Sequence, residues 1–197
     1  MPCHRLAPLI IAGLALMLAG PALAQAPAMP RSDGSGVLAQ LGPKDVSGRE
    51  VTLPERTIVY VTGSGAWANA FDTLVAAHRA LAQALAQQGI TANGPPMTIY
   101  TEIDGDGFRF EAALPVAETP KPPLKDGIAV GQAPSGKAIK FVHRGSFSDL
   151  DSTYEAITDY LDEKGMDAKD EFIEEYVTDI RKASPDHLVV NIYVPVK

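Results

Sequence analysis

Residues 137–165, KAIKFVHRGSFSDLDSTYEAITDYLDEKG, decide the fold. The first seven are rich in β-branched and aromatic side chains (Ile139, Phe141, Val142) and read as a strand. Residues 150–164 then change period, with Tyr154, Ile157, Tyr160 and Leu161 on one side of a helix and Gly165 as its stop. Downstream, 172–178 (FIEEYVT) and 188–196 (LVVNIYVPV) are two further strands. Upstream, the same order is met again. Residues 57–62 (TIVYVT) form a strand, and 70–88 form a helix with Phe71, Leu74, Val75, His78, Leu81 and Leu85 at helical spacing before Gly89. Strands at 97–103 and 108–116 are joined by Asp104-Gly105-Asp106-Gly107, a hairpin signal. A proline-rich linker, 117–136, separates the two halves.

The chain therefore carries β-α-β-β twice, at about 51–116 and 137–197, with matched landmarks. Trp67 corresponds to Phe147, Gly89 to Gly165, Tyr100 to Tyr176, and Pro115-Val116 to Pro195-Val196. A small sheet with one helix buries little by itself, so the two repeats should share a core. The expectation is an α+β domain with a pseudo-twofold axis, an antiparallel sheet, both helices on one face and a ligand cleft on the other.

Ahead of this domain, residues 1–24 read as a secretory signal peptide. A basic start (His4, Arg5) precedes the apolar run 6–18, which is too short to span a bilayer, and Ala22-Leu23-Ala24 follows the helix-breaking Gly20-Pro21. Cleavage before Gln25 removes Cys3, the one cysteine, and places the mature chain in the periplasm without stable membrane insertion. Loss of Arg5 takes the formal charge from −7 to −8. Such an acidic chain lacks the basic footprint of a nucleic-acid binder, so no nucleic-acid partner is expected, and the chain is expected to be a monomer. Residues 25–50, rich in Ala, Pro, Gly and Ser, read as a flexible linker.

Strand alternation proposes which side chains reach the cleft. If Ile173 and Val177 meet the helices, Glu174 and Tyr176 face away from them, and Tyr100 follows its counterpart Tyr176. The uniformly apolar Leu188, Val190, Ile192 and Val194 belong to the core, which sends Asn191 and Tyr193 to the cleft. In the first half Phe108, Phe110 and Leu114 point inward and Glu111 outward, while Trp67 and Phe147 wall the cleft from the strand-to-helix turns. A carboxylate surrounded by ring faces suits a cation in a partly dry site. Glu175 is read as a strand glutamate near an edge or paired with a lysine.

Other signals point nowhere. Gly131 to Lys137 matches most of a phosphate-binding loop, but Ala138 stands where a hydroxyl is needed and a strand follows instead of a helix. Asp104–Gly107 lacks the distant glutamate of a calcium loop. His78, His143 and His187 are not at ligand spacing, so no metal or cofactor is expected. Gly63-Ser64-Gly65 is an incomplete nucleophile elbow.

Residues from about 52 to 197 resemble the GyrI-like small-molecule-binding family, which also supplies the effector domains of AraC-type and MerR-type multidrug regulators; the likeness is strong in the second half and in the first rests mainly on the order of elements. Phe141-Val142-His143-Arg144-Gly145-Ser146-Phe147 with its tyrosine-bearing helix, Glu174-Glu175-Tyr176-Val177-Thr178-Asp179, and Tyr193-Val194-Pro195-Val196 carry the likeness. The resemblance implies the duplicated fold and binding of lipophilic, often cationic compounds through aromatics and a buried carboxylate. It departs from the family in its leader and in Glu175, where an apolar residue is usual. The function expected is binding, sequestration or sensing of small molecules without a catalytic residue. The alternatives are a hydrolase of electrophilic compounds, with Glu174 as base and Tyr176 or Tyr100 stabilising an oxyanion, and a protein-interaction module.

Overall fold

Eight strands among the described residues join one antiparallel sheet, and the longer ones have the β-branched and aromatic content that favours a pleated, packed surface. The computed structural model describes residues 47–120, 124 and 127–197. The expected signal peptide, 1–24, and most of the expected linker, 25–46, lie outside the described residues. In chain order the elements are β1 (Arg49–Leu53), β2 (Thr57–Ala66), α1 (Ala70–Gln87), β3 (Met97–Ile103), β4 (Gly107–Pro115), β5 (Ala129–Gln132), β6 (Gly136–Gly145), α2 (Leu150–Lys164), β7 (Phe172–Tyr176) and β8 (Leu188–Pro195). A single 3-10 turn, Trp67–Asn69 or Phe147–Asp149, precedes each helix.

The sheet order is β1-β6-β8-β7-β3-β4-β2-β5. Within it, β2, β4 and β3 are laid out as β6, β8 and β7 are, and β3 pairs with β7 at the centre through Thr98↔Glu174 and Tyr100↔Phe172. Two strands escaped the sequence reading. β1 falls partly in the expected linker and β5 inside the expected proline-rich linker; both are short edge strands with little alternation to detect. Each is tied to the opposite side of the sheet by three residues, 54–56 and 133–135. Six strand spacings in a flat sheet would put those ends about 29 Å apart. A three-residue link reaches only about 14 Å. The sheet must therefore curl strongly, and its concave side closes over Leu53, Ile58, Met97, Ile99, Ala113 and Ile173.

Both helices pack on the other, convex side. Leu74 and Val75 of α1 and Leu150, Ile157 and Leu161 of α2 share one buried cluster with Phe110, Phe141, Tyr176 and Val190. The α2 residues together gain roughly 5–9 kcal/mol gross from burial. That offsets the ordering cost of a 15-residue, highly charged helix, which would be marginal in isolation. The expected glycine stops are both present. Gly89 (φ 69°) and Gly165 (φ 61°) take the left-handed conformation. The following amides close the same six-residue loop, from Ile90 to Leu85 and from Met166 to Leu161, each at 2.9 Å. Gly63-Ser64-Gly65 lies within β2, paired with Phe110, Arg109 and Phe108, and forms no strand-to-helix elbow.

Candidate ligand-binding cleft

A cavity of about 940 Å³ opens between the N-terminal ends of α1 and α2. The chain turns sharply from strand to helix at Trp67 and Phe147, so these rings stand at the mouth, and the adjoining strands β3 and β7 supply the floor. The Ser146 hydroxyl accepts from the Asp149 amide at 3.2 Å, and the Asp149 carboxylate accepts from the Ser146 amide at 3.2 Å. This reciprocal cap fixes where the second turn begins and thereby where Phe147 points. Phe147 meets Phe71 of α1 edge-on across the cleft at 5.2 Å, while Trp67 packs on Phe108 at 4.7 Å and donates its indole N–H to the Asp104 carbonyl at 3.0 Å.

Glu174 lies at the bottom and is 1% exposed. Its Oε2 accepts hydrogen bonds from Tyr176 at 2.7 Å and Tyr100 at 3.1 Å, and its Oε1 accepts from Tyr154 of α2 at 2.8 Å. Burial pushes the Glu174 carboxyl above its ordinary range, while the three phenolic donors pull it back. The phenols are themselves driven well above their usual range, by burial first and by the Glu174 charge second. No Lys, Arg or His lines the cavity among the described residues, whereas Asp72, Asp151 and Asp186 stand at its rim. Two helix N-termini contribute only about half a positive charge each, so four carboxylates dominate the local field.

This arrangement corrects the expected face. Glu174, Tyr176 and Tyr100 point toward the helices, and the cleft lies on the helix side of the sheet rather than on the side opposite. The register leaves no choice: Glu174 is opposite Ile192 and Tyr176 opposite Val190, both packed under the helices. The expectation inverted because the concave side is buried as well. Ile173 has an apolar home there, so its hydrophobicity does not identify the helix side.

The expected residues consequently divide. Glu174, Tyr100, Trp67 and Phe147 line one cavity, with Tyr176 just beneath it. Tyr193, Asn191 and Glu111 occupy the other sheet face and do not join them. Tyr193 and Asn191 instead serve Glu175, which accepts from the Tyr193 hydroxyl at 2.9 Å and the Asn191 amide at 3.0 Å and pairs with Arg56 at 3.3 Å. Glu175 is thus neither an edge residue nor a lysine partner. Burial raises its proton affinity, but the Asn191, Tyr193 and Arg56 contacts outweigh burial and leave its pKa below the ordinary range. His143 is held by Thr153 at 2.8 Å and the Ser146 carbonyl at 2.9 Å, and burial lowers its pKa.

The sequence reading did not name Tyr154, Phe71 or Phe172 as residues lining the cavity. Tyr154 had a detectable signal: it is a tyrosine at an inward helix position, whose hydroxyl must find a partner.

The profile of the GyrI-like small molecule binding domain matches residues 49–197. No curated protein matches the chain. Among solved structures, the EcmrR C-terminal domain superposes with a TM-score of 0.66 at 17% identity, over 77% of this chain and 98% of that one. In the EcmrR–DNA complex the match spans 57% of the EcmrR chain, at the same TM-score and identity. SAV2435 bound to tetraphenylphosphonium superposes at 0.53 and 13% identity, over 77% of this chain and 94% of that one. A hydrolase from Listeria innocua gives 0.51 and 16%, over 77% and 92%.

Proposed function

Because the chain belongs to the GyrI-like small-molecule binding domain family over residues 49–197, we propose that it binds lipophilic organic cations in the cleft between α1 and α2, outside the cytoplasm once residues 1–24 are removed. The observation that carries this reading is the buried Glu174 carboxylate at the floor of an aromatic-walled cavity whose lining, among the described residues, holds no basic side chain. A ring-bearing cation gains on both counts there. Its charge meets Glu174 at lowered dielectric, and its rings meet Trp67, Phe71, Phe147 and Phe172. A hydrated inorganic cation would leave the apolar walls unused. The tetraphenylphosphonium held by SAV2435, a protein of similar fold, is a compound of this class.

The direct test titrates the purified chain with tetraphenylphosphonium and with neutral triphenylphosphine oxide, by calorimetry. The cation should bind at least about tenfold more tightly, a difference of ~1.4 kcal/mol. Equal affinities would show an apolar pocket indifferent to charge. Export is tested separately, by N-terminal sequencing of the protein from a periplasmic extract. Gln25 is the expected first residue, and intact Met1 in the membrane fraction would contradict it.

A second reading draws on the raised proton affinity of Glu174 beside three phenols. A carboxyl group so placed can take a proton from water, and a phenol can donate to a developing oxyanion, as hydrolysis of an electrophile requires. The fold is shared with the Listeria innocua hydrolase. Product formation that stops in Glu174→Gln would favour this reading over binding alone.

A further inference from the structure

Beneath the cleft, a buried hydrogen-bond chain leads away from Glu174. The Tyr176 hydroxyl lies 2.7 Å from Glu174 Oε2 and 3.0 Å from Thr98 Oγ1, and Thr98 Oγ1 lies 3.0 Å from Nε2 of His78. Tyr176, Thr98 and His78 are all fully buried. His78 Nδ1 has no hydrogen-bond partner among the described residues.

Counting protons gives this chain a direction. A phenol has one proton, and an ionised carboxylate has none to give. Tyr176 therefore donates to Glu174 and must accept from Thr98. Thr98 in turn has spent its one proton and must accept from His78, so the imidazole carries its proton on Nε2 and leaves Nδ1 bare. The reverse direction would take the Tyr176 proton away from the carboxylate. It would also put the imidazole proton on Nδ1, where it meets no acceptor. A buried donor without an acceptor is costly.

Resting on the cation-binding reading of the cleft, we infer that His78 is a positioning residue. Through Thr98 it supplies the last proton of a one-way chain that aims the Tyr176 hydroxyl at Glu174, and so favours the charged form of the carboxylate that faces the ligand. The role requires a neutral imidazole, since a second proton on buried Nδ1 would have no partner. Burial, aided by Arg181 and opposed by Asp179, lowers the His78 pKa to about 4, which keeps it neutral across the physiological range. The other groups facing Glu174 are Tyr154 on α2 and Tyr100 on β3, with Asp72, Asp151 and Asp186 at the rim. The two tyrosines donate directly.

The test follows the Glu174 carboxyl by carbon NMR in the ligand-free full chain as pH is varied, in wild type, Thr98→Val and Thr98→Ser. Thr98→Val keeps the shape and breaks the chain. Its Glu174 midpoint should rise by about 0.5–1, a 3–10-fold gain in proton affinity. Thr98→Ser restores the hydroxyl and should restore the midpoint. Nitrogen NMR of the wild-type imidazole should show a proton on Nε2 and a bare Nδ1, a readout that needs no variant to fold. An unmoved midpoint in Thr98→Val, a serine variant that fails to rescue it, or a proton on Nδ1 would each overturn the inference. Tetraphenylphosphonium titrations on the same samples separate the two proposals. A shifted midpoint with no cation binding leaves the chain from His78 standing and removes the cation reading. Cation binding with an unshifted midpoint does the opposite.

Discussion

Replacing Glu174 by Gln removes one charge from the floor of the cleft and keeps the shape of the side chain. At 1% exposure, with three phenolic donors, that charge has no basic residue beside it in the cavity lining among the described residues. A cation centred about 5 Å away gains roughly 3 kcal/mol of Coulomb attraction at an effective dielectric near 20. Lost hydration of the cation takes back part of this, which leaves about 1–3 kcal/mol, the scale of a charged hydrogen-bonding partner. Tetraphenylphosphonium affinity should therefore fall ~5–150-fold in Glu174→Gln, while triphenylphosphine oxide changes by less than about threefold.

The same substitution should act oppositely on the ligand-free fold. Burial raises the Glu174 pKa, so the folded chain holds that proton more tightly than the unfolded chain. Its contribution to stability is complete below the unfolded carboxylate pKa of about 4.3 and is lost as pH rises through the folded value. The Gln variant lacks this loss. Its Tm should exceed that of wild type at pH 8, and the gap should close toward pH 4. Calorimetry for both ligands and thermal melts across pH give both halves of the result. Equal losses for the charged and neutral compounds would refute the reasoning, because shape rather than charge would then have changed. A larger loss of cation affinity in Glu175→Gln than in Glu174→Gln would place the selecting charge on the wrong side of the sheet.

Two further outcomes test the scaffold around the cleft. Arg56→Met leaves Glu175 with Asn191 and Tyr193 alone; since Arg56 is partly exposed, the cost in a urea melt should be about 1 kcal/mol, and because the Glu175 pKa is depressed the difference should vanish as pH falls below the carboxylate range. Ser146→Ala removes the cap at the turn that carries Phe147; it should lower stability by about 1 kcal/mol and weaken charged and neutral ligands by the same factor, as ligand titration would show.

Much of the fold was legible because local rules and tertiary outcome agree. The change from strand period to helix period at 137–165 and 57–88, the glycine stops at 89 and 165, and the Asp104 turn are short-range signals. Each is satisfied by contacts a few residues away: the Asp104 carboxylate, for instance, accepts from the amides of Asp106 and Gly107. The sequence also named Glu174, Tyr100, Trp67 and Phe147 as residues of one site. What it could not decide was which side of the sheet they share. Alternation identifies an inward face only when the other face meets water, and here the curled sheet buries both. Ile173 and Glu174 are almost equally inaccessible on opposite sides. The three phenols that let a carboxylate sit beneath the helices come from residues 100, 154 and 176, and no local pattern links them. Their meeting depends on β3 lying beside β7 and on α2 crossing above, a pairing of distant segments that only the tertiary structure fixes.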